Sequence, residues 1–294
     1  MSIQPFDDRD GFIWLNGELK EWRNSKLHVL THALHYGSAV FEGERVYNKK
    51  VYKLNEHTDR LFFSAKELDI KIPFTKEEIN DATYLAISAN SIKDGYVRPI
   101  VWRGSDMMGV SGTGTKANVA IAVWPWPSYF SPESKMNGIK LDISRWKRPS
   151  PDTAPVFAKA TGLYMICTLS HHDAQNKGLD DSLLLDWRGR VAEATGANIF
   201  FTINGEIHTP VPDCFLDGIT RRTVIGLAKD KGYKVIERVI LPEEMADADE
   251  CFLTGTAAEV TPVGSIGNYN FTPGEITKSL IRAYDIEVGK LIDN

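Results

Sequence analysis

The amino-acid sequence predicts an α+β fold divided into two domains. Short apolar runs with strand-like alternation occur in both halves of the chain, and stretches with helical periodicity lie between them. A segment rich in Pro, Ser and Gly follows the last apolar run of the first half. We therefore place the domains at residues 1–125 and 137–294 and an interdomain loop at 126–136. With 294 residues and 43% hydrophobic content, the chain is long enough for two moderate cores.

The N-terminal strands are predicted from two hairpins and two apolar runs. In GFIWLNGELKEW, Asn16 and Gly17 supply the two positive-φ positions of a tight turn. The segment RVYNKKVYKL predicts a second hairpin, and YVRPIVWRG and NVAIAVWPW predict buried strands.

Two helices are predicted between the second hairpin and the apolar runs. The segment NEHTDRLFFSAKEL carries an apolar stripe at helical spacing, and Asn55 is its predicted cap. The stripe consists of Leu61, Phe62, Ala65 and Leu68. Thr75 and Glu78 form a capping box, which predicts a second helix that runs to about Asn90.

The C-terminal half begins with GIKLDISRW, whose alternation of apolar and polar residues predicts a strand with one buried face. A helix through YMICTLSHHDAQNKG and strands in SLLLDWRGRVAEA and NIFFTINGEIHTP follow. A further helix is predicted from Thr220 to Lys231, ended by Gly232.

The charge and cysteine content favour an intracellular protein that acts on small molecules. The chain has 34 Lys and Arg against 39 Asp and Glu, a net charge of −5, which argues against nucleic-acid or membrane-surface binding. Its three cysteines are far apart and form no CxxC pair, which indicates a reducing compartment. The first residues lack a basic segment followed by an apolar one, so we expect a cytoplasmic chain that is not exported.

Three constellations typical of other chemistries are incomplete. His28, His32 and His35 have spacing compatible with a metal site, but the sequence has no HExxH motif, and we expect no metal. The segment GVSGTGTK differs from a P-loop because Thr115 precedes Lys116, and no GxSxG nucleophile elbow is present.

Lys159 and Glu193 are the first candidates for chemistry. Lys159 lies in the apolar segment PVFAKATGLYM, where desolvation disfavours the ammonium and gives an amine able to attack a carbonyl. The alternative is a lysine whose stem covers a core helix while its amine reaches solvent. Glu193 lies among small residues in GRVAEATGANIF, where it either pairs with a cationic group or helps to cap a turn.

Two loops and one arginine are candidates for phosphate binding. Residues 218–220 open a predicted helix and residues 254–256 form a similar Thr and Gly segment, although such entries also serve only as caps. Arg60 projects from a predicted helix and either clamps an anion or lies on the surface. The aromatic residues that line either a core or a pocket are Tyr36, Phe41, Trp126, Tyr129 and Tyr164.

In combination, these segments resemble the branched-chain amino acid aminotransferases, which are fold-type IV pyridoxal-phosphate enzymes, over nearly the whole chain. The resemblance is carried by HALHYGSAVFEGERVY, YVRPIVW, MMGV, PWPSYF, SRWKRPSPDTAPVFAKATGLY, LLLDWRGRVAEATGANIF, LDGITR and FLTGTAAEVTPV. It implies a small N-terminal α/β domain, a larger C-terminal α/β domain with a pseudo-barrel sheet, and pyridoxal 5′-phosphate at their interface. It also implies a homodimer or higher homo-oligomer that transfers amino groups from L-leucine, L-isoleucine or L-valine to 2-oxoglutarate in a ping-pong cycle.

The resemblance also assigns roles to individual residues. Lys159 is the catalytic Schiff-base lysine, Glu193 binds the pyridine nitrogen and Tyr164 contacts the phenolic oxygen of the cofactor. The remaining cofactor-binding positions are Arg60, Leu216, Gly218, Ile219, Thr220 and Thr256. The substrate-binding positions are Tyr36, Phe41, Gly43, Arg45, Tyr96, Arg98, Met108, Val110, Trp126, Tyr129, Thr256, Ala257 and Ala258. Among them, Arg98 receives the distal carboxylate of glutamate, and the loop from Met108 to Val110 reaches the pocket of the neighbouring subunit.

Three positions depart from the common pattern of the family. Leu163 stands where Asn is frequent, and Ala194 and Ala197 stand where Gly and Glu are frequent, which bears on packing around the cofactor and on substrate range. The rival functions within the fold are a D-amino acid or (R)-amine aminotransferase and an aminodeoxychorismate lyase. A non-catalytic binding protein on the same fold is the alternative from another class.

Overall fold

Two sheets, one in each of two units, organise the chain. The computed structural model describes residues 4–126 and 137–291. Of these, residues 4–126 and Ala158–Gly162 form the first unit, and residues 137–157 and 163–291 form the second. The loop predicted at 126–136 lies outside the described residues except for Trp126.

The sheet of the first unit is antiparallel throughout, with strand order β2-β1-β7-β6-β4-β5 and with β3 also paired to β6. Its strands are β1 Phe12–Leu15, β2 Glu18–Glu21, β3 Ala39–Phe41, β4 Glu44–Tyr47, β5 Lys50–Val51, β6 Gly95–Arg103 and β7 Ala117–Pro125. Both predicted hairpins are confirmed, because β1 pairs with β2 and β4 with β5. Asn16 and Gly17 have φ of 51° and 105°, as the tight turn requires.

The helices of the first unit are α1 His32–Tyr36, α2 Leu54–Glu67 and α3 Lys76–Ala89, with a 3-10 turn at Trp22–Asn24. The predicted capping box is confirmed, since Thr75 Oγ1 accepts from Glu78 N at 3.2 Å and Glu78 Oε2 accepts from Thr75 N at 2.7 Å. The predicted cap of α2 is wrong. That helix begins at Leu54, after Lys53 in the left-handed region, and the side chain of Asn55 accepts from Asn80 instead.

The buried face of α2 also differs from the predicted stripe. Leu61 and Ala65 are buried, but Phe62 is only partly buried and Leu68 lies just beyond the helix. Polar side chains, among them His57 and Ser64, take up the rest of that face. The apolar stripe therefore located the helix but missed its polar inner residues.

In the second unit, six strands close into a barrel-like ring in the order β10-β9-β8-β15-β14-β11, because β10 also pairs with β11. The strands of this unit are β8 Ile139–Arg148, β9 Asp181–Asp186, β10 Val191–Ala194, β11 Asn198–Ile203, β12 Glu206–Pro210, β13 Val235–Arg238, β14 Glu250–Gly255, β15 Glu259–Ile266 and β16 Tyr269–Asn270. The helices are α4 Tyr164–Asn176, α5 Ile219–Asp230 and α6 Glu275–Glu287, with 3-10 turns at Thr161–Leu163 and Pro242–Asp247.

The apolar faces of this ring form one core. Leu141, Leu183, Ile199, Leu253 and Val263 are each at most 1% exposed and belong to the same cluster. Burial of these side chains is the main stabilising contribution to the ring.

The α+β fold and the barrel-like sheet are both confirmed. Gly232, with φ of +82°, follows α5 as predicted. Within residues 4–126 and 137–291, none of the helices combines the length and apolar character needed to cross a bilayer.

Candidate active site

The backbone around Lys159 is fixed by β3 and α2. Phe41 N donates to Lys159 O at 3.1 Å, and the neighbouring Ala160 forms an isolated bridge with Val40. Lys159 N donates to Ser64 Oγ at 2.9 Å. These bonds explain why a five-residue segment of the second half of the sequence belongs to the first unit.

The Lys159 side chain lies in an apolar and cationic environment. Its Nζ is 4.9 Å from the centre of the Phe41 ring. Burial, together with the guanidinium groups of Arg60 and Arg98, lowers the pKa of Lys159 from 10.5 to about 8. A far larger fraction of this amine is therefore neutral near pH 7 than for an ordinary lysine.

Aromatic rings and Arg98 form one wall beside the lysine. The Arg98 guanidinium carbon lies 4.7 Å from the centre of the Phe41 ring and 5.3 Å from that of Tyr96. Tyr96 packs in turn against Trp126, with 5.3 Å between the ring centres. Gly43 lies against the Tyr96 hydroxyl, which a Cβ at that position would overlap. The structure thus brings five of the predicted substrate residues and Lys159 into one cluster.

A buried carboxylate, Glu42, lies behind this cluster and was missed by the sequence analysis. Its oxygens accept from Arg60 Nε at 2.6 Å, from Arg60 Nη2 at 2.9 Å and from His57 Nδ1 at 2.7 Å. Burial alone would raise the pKa of Glu42, but Arg60 and His57 hold it well below its usual value. Glu42 therefore stays ionised and orients the Arg60 guanidinium. The signal in the sequence was an acid inside the buried run AVFEG, where a carboxylate needs a partner.

Glu44 and Arg45 follow on β4, and both are buried. Burial and the nearby charge of Glu42 raise the pKa of Glu44 well above its usual value. The Arg45 guanidinium carbon lies 5.1 Å from the centre of the Tyr47 ring.

Two other predicted substrate residues of the first unit, Tyr36 and Val110, are exposed, and Met108 is partly buried. Tyr36, on α1, is 45% exposed and donates through its hydroxyl to Met108 O at 3.3 Å. Val110, in the same loop as Met108, is 78% exposed. Tyr129 lies outside the described residues.

In the second unit, Glu193 lies on β10 directly opposite Asn198 of β11. Arg148 Nε is 3.4 Å from Glu193 Oε1, and Asn198 Nδ2 donates to Oε2 at 3.4 Å. Burial lowers the pKa of Arg148, but Glu193 and the nearby thiol of Cys167 outweigh this and leave it raised. The carboxylate is thus nearly buried and held by a cation and an amide, two partners that the sequence analysis missed.

Asn198 also fixes the segment that leads into α5. Its Nδ2 donates to Leu216 O at 3.0 Å, and a Cβ on Gly218 would overlap its Oδ1. Gly218 is the N-cap of α5 and provides no side-chain bond, while Ile219 and Thr220 are buried in the first turn. The first amides of a helix have no intrahelical acceptors, so this helix start can bind an anion.

The turn between β14 and β15 contains Thr256, Ala257 and Ala258, which are all half-buried. Thr261 Oγ1 donates to Ala258 O at 2.6 Å. Glu259 closes the turn with φ of +57°, and its Oε1 accepts from Lys290 Nζ at 2.5 Å. A local bond to the backbone and an ion pair with the distant Lys290 therefore hold this turn.

The remaining positions of the second unit lie around Arg148 and the ring. Tyr164 begins α4, and its phenol is close enough to Arg148 to contribute to the raised pKa of that residue. Ala194 and Ala197 are buried, and Ala194 N donates a hydrogen bond to Ala197 O at 2.8 Å. Alanine at these two positions is thus compatible with a closely packed turn.

One further group of possible metal ligands consists of Asp186, Asp213 and Cys214, whose donor atoms lie within 4.8 Å of one another. Arg188 Nη2 already lies 2.6 Å from a carboxylate oxygen of each aspartate. The negative charge of this group therefore has a cationic partner from the protein itself.

The chain is similar in sequence to known aminotransferases. The model of the family described as Amino-transferase class IV matches residues 39–266. A branched-chain-amino-acid aminotransferase of Pseudomonas aeruginosa is 42% identical, over 96% of this chain and 95% of that protein.

Two solved structures of branched-chain aminotransferases are also similar. The enzyme of the thermophilic archaeon Thermoproteus uzoniensis with norvaline is 36% identical, has a TM-score of 0.90 and covers 96% of this chain and 96% of that one. A T.th. enzyme in complex with N-(5′-phosphopyridoxyl)-L-glutamate is 37% identical, has a TM-score of 0.91 and covers 96% and 95%. The chain described here belongs to the class IV aminotransferase family.

Proposed function

We propose that this protein is a branched-chain amino acid transaminase that transfers the amino group of L-leucine, L-isoleucine or L-valine to 2-oxoglutarate. The observation that carries the proposal is the Lys159 amine, whose pKa is lowered to about 8 beside an aromatic wall that contains Arg98. The identity to a named branched-chain enzyme over nearly the whole chain supports the choice of substrates.

The residues of the chain fit pyridoxal 5′-phosphate as the cofactor. The fit rests on a lysine with a lowered pKa, on a nearly buried carboxylate and on a helix start whose N-cap glycine cannot accept a Cβ. The cofactor supplies an aldehyde for the lysine and an aromatic ring that accepts electrons. The similar T.th. enzyme binds a phosphopyridoxyl adduct of glutamate.

Lys159 acts as the proton carrier in this proposal. Once the amino substrate has released it, the neutral amine takes the proton from the substrate α-carbon and later returns a proton. A pKa near 8 suits this exchange, because an effective general base has a pKa near the working pH.

Glu193 and the start of α5 bind the polar ends of the cofactor in this proposal. Glu193 binds the ring nitrogen, with its carboxylate oriented by Arg148 and Asn198. The amides at the start of α5 and the turn at Thr256 bind phosphate, which is favoured by the helix dipole.

Arg60 is also a phosphate ligand in this proposal. Glu42 orients the Arg60 guanidinium through two hydrogen bonds. The opposite charges of these two groups nearly cancel before any phosphate binds. A phosphate bound to Arg60 would therefore share this cation with Glu42.

The cluster of Phe41, Tyr96 and Trp126 selects apolar side chains. An aromatic wall disfavours a charged substrate because it would lose hydration without a partner. Arg98 provides such a partner for the distal carboxylate of glutamate, so one pocket can accept both kinds of substrate.

We also propose a cytoplasmic homodimer. Exposed apolar side chains cluster along residues 27–36 and 107–110, including Val29 at 71%, Leu34 at 63% and Val110 at 78% exposure. Apolar surface of this kind marks an interaction site. The three cysteines are buried thiols without disulfide bonds, which favours a reducing compartment.

The proposed function is tested by spectroscopy and steady-state assays of the purified holoenzyme. We expect near-visible absorbance from the bound cofactor that changes on addition of L-leucine, and turnover with 2-oxoglutarate. Lys159→Ala should lose both, and retention of both by this variant would contradict the role of the lysine. Higher activity with D-alanine than with L-leucine would instead favour a D-amino acid aminotransferase.

A further inference from the structure

Two side chains of α1 hold an exposed loop at residues 107–112, which we call the recognition loop. The Tyr36 hydroxyl donates to Met108 O at 3.3 Å, and His32 Nε2 lies 2.9 Å from the next carbonyl, Gly109 O. The spacing of four places both side chains on one face of the helix, and their ring centres are 4.6 Å apart. The loop is thus held at two consecutive carbonyls.

His32 is built into the fold as a polar connector. It is only 2% exposed, and both of its ring nitrogens have partners. A carbonyl oxygen can only accept, so Nε2 carries the hydrogen and donates to Gly109. In the neutral ring, Nδ1 then accepts from the Ser38 hydroxyl at 2.6 Å. The two partners therefore select a single tautomer.

Ser38 connects this histidine to the strand beside the candidate lysine. It immediately precedes β3, and its carbonyl accepts from Arg103 N at 3.1 Å. Phe41, at the other end of β3, lies 4.9 Å from Lys159 Nζ. A continuous series of bonds and contacts thus runs from the lysine through β3 and His32 to the recognition loop.

The far end of the recognition loop closes against the same histidine. Gly112 has φ of +56°, and a Cβ on it would lie 3.0 Å from His32 Nε2 and 3.0 Å from Arg103 Cδ. Arg103 also donates to Leu68 O, Asp69 O and Gly112 O, which joins the loop to the end of α2. Since the middle of the loop is exposed, its conformation depends on these few anchors.

We propose that His32 is a positioning residue that sets substrate affinity by fixing the recognition loop. The inference rests on the proposed function and its homodimer, in which the loop from Met108 to Val110 reaches the substrate pocket of the neighbouring subunit. Loss of the histidine should loosen the loop and weaken the binding of substrate, while the proton transfer by Lys159 continues once substrate is bound. We therefore expect loss of His32 to raise KM and to leave kcat nearly unchanged.

The test compares the wild-type holoenzyme with His32→Phe, His32→Gln and Ser38→Ala. Phenylalanine keeps an aromatic ring but removes the hydrogen bond from His32 to the Gly109 carbonyl, and we expect KM for L-leucine to rise about tenfold with kcat changed less than about twofold. Glutamine retains a donor and should restore most of the affinity. The matched control is His35→Phe on the same helix, whose ring bonds Val29 O and not the loop.

Hydrogen exchange in the holoenzyme gives a readout that does not depend on turnover. The Gly112 amide donates to Gly109 O at 3.0 Å, and we expect its exchange, and that of its neighbours in the loop, to accelerate about tenfold in His32→Phe. If His32→Phe does not fold, KM and loop hydrogen exchange are measured on Ser38→Ala instead, which removes only the hydrogen bond to His32 Nδ1.

The two proposals fail in different ways. A wild-type enzyme with no activity on L-leucine would refute the proposed function, and hydrogen exchange would still decide whether His32 holds the loop. Normal KM and normal loop exchange in both His32→Phe and Ser38→Ala would overturn the role of His32. A loss of thermal stability with unchanged KM would overturn it as well, because a purely structural histidine predicts that result.

Discussion

Lys159 should reduce the stability of the cofactor-free protein at neutral pH. Its pKa is about 8 in the folded chain and 10.5 for an ordinary lysine, so the unfolded chain binds this proton more tightly. Below pH 8 both states carry the proton, and the folded state bears the full penalty, which corresponds to about 3 kcal/mol. Between about pH 8 and pH 10.5 the folded state has released the proton while the unfolded state has not, so the penalty disappears as pH rises.

Lys159→Met removes the charge while it keeps an unbranched side chain of similar length. We expect the cofactor-free variant to be more stable than wild type by up to about 3 kcal/mol at pH 7, with the difference shrinking towards pH 10. Denaturant unfolding at a series of pH values measures this difference directly, and Lys26→Met, at an exposed lysine, is the matched control. A variant equal to or less stable than wild type at pH 7, with no dependence on pH, would refute the reasoning that desolvation and neighbouring cations lower this pKa.

Three further outcomes test other parts of the structure. Glu42→Ala should destabilise the protein by about 3–5 kcal/mol in denaturant unfolding, because it leaves the partly buried Arg60 and the buried His57 without the carboxylate that they bind, and Glu42→Gln should destabilise it less. Gly218→Ala should weaken the binding of pyridoxal phosphate to the cofactor-free protein at least about tenfold, or about 1.4 kcal/mol by calorimetry, because its Cβ would overlap Asn198. Gly226→Ala on the same helix is the control and should leave this affinity unchanged, because a Cβ there meets nothing within 4 Å. Thr75→Ala should lower the free energy of unfolding by about 1 kcal/mol through loss of the capping box, and an unchanged midpoint would show that the cap does not contribute.

The parts of the fold that depend on local rules could be predicted from the sequence. Asn16 and Gly17 determine a tight turn by their backbone preferences, and Thr75 with Glu78 determines a helix start by two bonds within four residues. The cap of α2 could not be predicted in this way. Asn55 has the right side chain for a cap, but its amide oxygen bonds Asn80 on a neighbouring helix, a contact that only the tertiary structure provides.

In the candidate site, too, features set by neighbouring residues in the sequence could be predicted, and contacts between distant segments could not. The apolar surroundings of Lys159 indicated a lowered pKa, and the structure gives it that environment. The partners that tune the charged groups come from other elements and carry no local signal. Glu42 reaches Arg60 across 18 positions, and Arg148 reaches Glu193 from a different strand.

The carboxylate of Glu42 explains how the lysine is kept within a useful range of pKa. Burial and two guanidinium groups both lower the pKa of Lys159, and together they favour an amine too weakly basic to hold a proton during transfer. Glu42 acts in the opposite direction, because its negative charge raises the pKa of the same amine. It can do so only while it remains ionised, and the bonds from Arg60 and His57 keep it ionised inside the protein. The buried acid thus stabilises the arginine that it binds and limits the effect of that arginine on Lys159.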